Sequence, residues 1–155
     1  MRLFLNILLA GGLTSGPVAA QAADRFMGTW VLDPTKSEFG PAPGPRSLTV
    51  VITRAPRGYT ITAKGVAANG SEFGTSYTAT YDGKDAPVTG AADYDAVAVA
   101  LVDPDTRHTI RKKGGEAVQV MHSVVSNNGA LLTTTVAGVD ARGQKVRSVQ
   151  VYHKQ

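Results

Sequence analysis

Few side chains in this chain could do chemistry, and their spacing is restrictive. There are three histidines, His108, His122 and His153, and no cysteine. His108 lies in "RHTIRKK" (107–113) and His122 in "EAVQVMHSVVS" (116–126), on either side of Gly114-Gly115. A hairpin with a three-residue turn would pair Lys113 with Ala117, and so His108 with His122. Two imidazoles on neighbouring strands stand close enough to share a metal ion. No further ligand is evident, and a two-residue turn would break the pairing, so the expectation is paired or exposed imidazoles and no metal. The carboxylates Asp82, Asp85, Asp103, Asp105 and Asp140 sit at turns, where such side chains bond their own backbone. Asp93 and Asp95, flanking Tyr94, have no such explanation. No Ser/His/Asp order, phosphate loop or paired-acid motif is present, and no cofactor signature. Enzyme chemistry therefore ranks behind binding.

The elements that must position these residues are strands. "SLTVVITRA" (47–55) alternates Leu48, Val50 and Ile52 against Thr49, Val51 and Thr53. "YTITAKGV" (59–66) puts Tyr59, Ile61 and Ala63 on one face, and "EFGTSYTATY" (72–81) puts Phe73, Thr75, Tyr77, Ala79 and Tyr81 in phase. Asn69-Gly70 between them suits a tight hairpin turn. "DAPVTG" (85–90) reads as a short strand whose Pro87 favours an irregular or edge position. Further strands read over 94–102, 107–113, 116–126, 130–139 and 145–154, separated by Gly, Asn and Asp turns. About ten strands joined by short turns predict an up-and-down antiparallel meander, which removes its exposed edges by closing into a barrel. Small residues, Ala96, Ala98 and Ala100 with Ala63, Gly65 and Ala79, are candidates for the inward face. They fit either a hollow interior or one filled from the opposite wall.

The amino terminus is of another kind. Arg2 precedes an apolar run of about 11 residues, short of the roughly 20 needed to span a bilayer. "SGPVAAQAAD" follows, with small residues suited to cleavage after Ala20 or Ala22. Residues 1–22 are expected to be a secretory leader and 23–155 one barrel domain, periplasmic or extracellular. Without cysteine there is neither a disulfide framework nor a lipid-bearing cysteine. The formal net charge is +4, but it is scattered. Its one cluster, Arg111-Lys112-Lys113, reads as a solvated hairpin tip. Aromatics make up 6 % of the chain and are not interleaved with basic residues, so no nucleic-acid partner is expected.

Phe26-Met27-Gly28-Thr29-Trp30-Val31-Leu32 resembles the first strand of the calycins, the lipocalins (Gly-x-Trp) and the fatty-acid-binding proteins (Phe-x-Gly-x-Trp-x-Leu). Val149 to Lys154 resembles the closing strand of the latter. The chain is also similar to a set of small secreted bacterial proteins with Gly-Thr-Trp, Lys36-Ser37-Glu38-Phe39, the run Tyr81 to Gly90, and a terminal Val151 to Gln155. That likeness implies a fold and an exported location, and no specific activity. The calycin resemblance implies that Trp30 plugs one barrel end against an arginine of the last strand, for which Arg147 is the candidate, and that Gly28 admits a close neighbour. Fatty-acid-binding proteins lead from this strand into a helical lid. Here loop 33–46 holds Pro34, Pro41, Pro43 and Pro45, and the last three forbid a helix and leave an extended strap. Those proteins also grip a carboxylate with Arg-x-Tyr. The matching positions read Gln150-Val151-Tyr152, so the tyrosine is present and the charged clamp is not.

The sequence thus predicts a single antiparallel up-and-down β-barrel of calycin type without a helical lid. The leading function is binding or carriage of a small apolar or weakly polar molecule, with Tyr152, Gln150, Tyr77 and Tyr59 as candidate contacts. The alternative is a filled barrel acting as an envelope or extracellular protein-interaction module.

Overall fold

A computed structural model describes residues 24–155; the leader expected over 1–22, and residue 23, lie outside the described residues. The described residues form β1 (Gly28–Leu32), β2 (Glu38–Phe39), β3 (Ser47–Arg54), β4 (Tyr59–Val66), β5 (Glu72–Ala79), β6 (Asp82–Pro87), β7 (Ala96–Asp103), β8 (Thr106–Lys113), β9 (Glu116–Val125), β10 (Leu131–Val139) and β11 (Lys145–Lys154). All pairing is antiparallel, in the order β5-β4-β3-β1-β11-β10-β9-β8-β7-β6, with β2 set against β11. β1 lies between β3 and β11 and so joins the two halves of the meander. The ladder comes round almost to closure. β5 and the segment after β6 meet at a single bridge, Ser76 with Thr89, so β6 is an end strand and Pro87 sits where its missing N–H does least harm. Among the described residues, no helix is long and apolar enough to cross a membrane.

Period-2 alternation fixes which residues fill the interior. Ile52, Ile61, Val97, Val99, Val125, Leu132 and Tyr152 are buried in one core with Phe26 and Trp30. On β7 the larger residues, Val97 and Val99, point in, and the alanines expected to line the interior lie on the strand's other face; Ala100 is exposed. Burying two valines removes more apolar surface from water than burying alanines would.

One hairpin departs from its expected turn and still reaches its expected register. Lys113 pairs with Glu116, so the β8–β9 turn is the two-residue Gly114-Gly115, both at positive φ (57° and 87°). Lys112 pairs with Ala117 but Arg111 with Gln119, which leaves Val118 as an extra residue in a β-bulge. The bulge shifts β9 by one position and sets His108 opposite His122.

Trp30 is fully buried at one barrel end, and its indole N–H donates to the Phe26 carbonyl (2.8 Å). Arg25 ties the same end shut by donating to the carbonyls of Ser126 and Asn127 (2.7 Å each) and pairing with Asp105. The cation above the indole is Lys154, whose Nζ lies 4.9 Å from the ring centroid. Arg147 does not reach it. That side chain is exposed on β11, near the other end of the strand, and borders a groove with Glu38 and Phe39. Residue 147 sits toward the mouth on an outward position, whereas Lys154, at the strand's last residue, can fold back over the plug. Gly28 makes room for it: φ is +129°, and a Cβ there would meet Lys154 Cε at 2.7 Å.

Loop 33–46 runs as a strap rather than a helix. Its first half is stitched to β11: Asp33 N–H donates to Val151 O (2.8 Å), Val151 N–H to Ser37 Oγ (2.9 Å), and Gly40 N–H to Arg147 O (2.7 Å). Its prolines 43 and 45 then turn over the opposite end of the barrel from Trp30.

Candidate functional site

The interior is not filled. A cavity of about 500 Å³ lies between the strap and the Trp30 plug. Its mouth is bordered by Pro43 and Pro45, the β4–β5 turn at Ala67 and Ala68, and the 90–94 loop. Leu48, Val50, Ile61, Ala63, Phe73 and Tyr77 form one apolar wall. The opposite wall is polar, and strand registers explain why. Arg107 pairs with Ser123, Ser123 with Thr134, and Thr134 with Gln150, so four polar side chains cross β8 to β11 at one level. Ser123 and Thr134 share a hydrogen bond of 2.9 Å. Gln150 donates to Ser148 Oγ (3.0 Å) and accepts from the Tyr152 hydroxyl.

Three of the four expected ligand contacts, Tyr152, Gln150 and Tyr77, therefore share this cavity. Tyr59 does not line it. It is fully buried nearer the plug and stacks on Tyr81, with ring centroids 4.6 Å apart. Burial pushes the phenols of Tyr59, Tyr77 and Tyr152 upward, so each stays protonated and able to donate.

Two arginines enter the same space, which the sequence reading had not placed there. Arg111 was expected at a solvated tip with Lys112 and Lys113. Instead it faces inward, packs its guanidinium 4.3 Å from the Tyr94 ring centroid, and donates to Gln119 Oε1 (2.9 Å). Gln119 in turn donates to Val139 O (3.0 Å). Of the two lysines, Lys112 on the other face pairs with Asp85 (2.8 Å), and Lys113 reaches over the mouth loop to Asp95 (3.9 Å) and the Ala92 carbonyl (3.3 Å). Arg107 lies deeper. It is 5 % exposed, with its guanidinium carbon 4.6 Å from the Phe26 ring centroid. Its Nε and Nη1 have no hydrogen-bond partner from the protein among the described residues, and neither does the hydroxyl of Tyr59. Its link to a carboxylate runs through Tyr81, which lies beside it and donates to Asp24 Oδ2 (2.7 Å). A signal for this was present in "RHTIRKK": once His108 pairs with His122, Arg107 must share a face with Ser123. Periodicity could not say which face was inside, because the outward positions hold Ile110 and Val120.

The two unexplained aspartates hold the mouth loop. Asp93 accepts from Ala141 N–H (3.0 Å) in the β10–β11 turn, and Asp95 accepts from Gly114 N–H (3.0 Å) in the β8–β9 turn.

No protein-family model matches the sequence, and no curated protein shows significant similarity to it. The structure is similar to the crystal structure of zebrafish ileal bile acid-binding protein complexed with cholic acid, with a TM-score of 0.53 over 84 % of this chain and 99 % of that one. This is the calycin fold. At 15 % identity the likeness is one of architecture. In this barrel the last strand contributes Gln150 and Tyr152 to the cavity wall, and β8 contributes its two arginines.

Proposed function

We propose that this chain binds one small amphipathic molecule inside its barrel, with an anionic or strongly polar end at Arg107 and an apolar body reaching toward the Pro43–Pro45 mouth. The observation that carries this reading is Arg107 itself. A cation this deeply buried, with two nitrogens unpaired, is costly to keep. Water can meet such groups in a polar cavity, but an anion meets them with charge-assisted bonds about twice as strong as neutral ones. The wall formed by Leu48, Val50 and Ile61 suits the apolar remainder. This revises the sequence expectation of an apolar or weakly polar ligand toward a charged one, and the bile acid of the similar structure is a molecule of that type. The reading as an exported carrier, periplasmic or extracellular, rests on the leader expected over 1–22.

The test is displacement of a fluorescent anionic naphthalene sulfonate by paired amphiphiles of equal length, one a carboxylate and one an amide. The carboxylate should compete better, and Arg107→Met should weaken it by roughly ten- to hundredfold while leaving the amide nearly unchanged. Equal competition by both in the wild type would refute the anionic reading. The runner-up, a protein-interaction module, is favoured by exposed Val102, Ile110 and Val120 on the outer wall; failure of every amphiphile to bind would turn attention there.

A further inference from the structure

The outer face of β8 and β9 holds a pair that the ligand reading leaves unused. His108 and His122 stand directly opposite each other on neighbouring strands, and both are exposed. Nε2 of His108 lies 2.7 Å from Nδ1 of His122, with ring centroids 4.8 Å apart and planes at 61°. Ala100 and Thr135 are their cross-strand neighbours on either side, so no lysine or arginine sits next to them in that row. The pairing depends on the Val118 bulge. A regular two-residue hairpin would have set His108 opposite Met121, which occupies an inward-facing register position in this structure.

We propose that His108 and His122 form a two-imidazole chelate for a borderline divalent cation, Cu²⁺ ahead of Zn²⁺. Imidazole nitrogen suits these metals, and the order follows the general rise in affinity to copper across the divalent series. Two nitrogens about 2.0–2.1 Å from one metal, at tetrahedral or square angles, stand about 3 Å apart. The 2.7 Å contact is a hydrogen bond, so on metal binding its proton passes to the donor ring's other nitrogen, and small rotations of two exposed rings open the separation by a few tenths of an ångström. The backbone beneath them is already fixed in the β8–β9 ladder, so ordering costs little on binding. Asp103 lies within electrostatic reach of His122 and adds a favourable charge. No cluster of three or more candidate metal-binding side chains occurs among the described residues. The remaining coordination positions therefore go to water or to an external ligand, which makes this an open site on the barrel wall.

The experiment is titration of the purified protein with Cu²⁺ at fixed neutral pH, read by electron paramagnetic resonance. One equivalent should bind with hyperfine structure from two imidazole nitrogens. His108→Gln and His122→Gln should each weaken that copper by roughly ten- to hundredfold, no less than the loss of an outer-shell partner costs a metal site. His153→Gln should leave it unchanged. Both substitutions lie on an exposed face, and the near-ultraviolet circular dichroism of Trp30 checks that the barrel is intact. Copper bound as tightly by the His108→Gln/His122→Gln double variant as by the wild type would overturn the proposal. So would a wild-type spectrum with a single imidazole nitrogen. Neither result depends on what the interior holds, so failure here is separable from failure of the amphiphile reading.

Discussion

Arg107 and Arg111 point into the same cavity from the same strand, four positions and roughly 13 Å apart. At the mouth, Arg111 is completed from within: Tyr94 lies against its plane and Gln119 Oε1 accepts its hydrogen bond. At the floor, Arg107 keeps an aromatic neighbour in Phe26, but two of its nitrogens find no partner from the protein among the described residues. The contrast separates two uses of one residue type. A cation satisfied by its own chain holds that chain in shape, as Arg111 holds the 90–94 loop. A buried cation whose donors the chain leaves unmet raises the energy of the empty protein, and an anion that meets those donors offsets that cost on binding.

That contrast can be broken or sharpened by substitution. The largest effect should come from the frame both arginines share: Trp30→Ala should cost about 3–5 kcal/mol in urea unfolding, since it empties the fully buried plug under Arg107. Arg107→Met should next stabilise the empty protein, by about 1–4 kcal/mol, because an unpaired buried charge is replaced by an apolar side chain of similar length. A loss of stability instead would show that the floor is satisfied without a ligand. Arg111→Met should act with the opposite sign and cost about 1 kcal/mol, leaving Gln119 without its donor; the sign difference between the two variants is the sharpest form of the comparison. The smallest effect concerns the strap. Hydrogen bonds from Thr35 and His153 hold the Asp33 carboxyl well below the usual carboxylate range. Its contribution is present above the unfolded value near pH 4 and is lost only as pH falls through the lower folded value. Asp33→Asn should therefore lower the melting temperature slightly at neutral pH and flatten the acid limb below pH 4, with little change in between.

Much of the fold was legible because it rests on local chemistry. Alternation marked the strands, Gly and Asn marked the turns, and the prolines at 41, 43 and 45 excluded a helix. What escaped was anything that required knowing the inside from the outside. The β8 face carrying Arg107, Thr109 and Arg111 looks like a solvent face, and the one carrying Ile110 looks like a core face. The structure puts the arginine face inside, with Arg107 level with Ser123, Thr134 and Gln150. The calycin resemblance assigns the indole's cation to Arg147, and Lys154 supplies it instead. The pairing of His108 with His122 was reached through a three-residue turn that does not form; a bulge supplies the extra residue instead.

The single bridge between Ser76 and Thr89 bears on time rather than affinity. Its two hydrogen bonds, 3.0 Å each, are all the backbone lacing between β5 and the segment after β6. At about 1 kcal/mol net per bond, this seam parts at far lower cost than the ladder around it unfolds. On the proposed amphiphile reading, Arg107 at the floor sets how tightly an occupant is held, and this weak seam beside the mouth loop sets how readily the wall yields as it leaves.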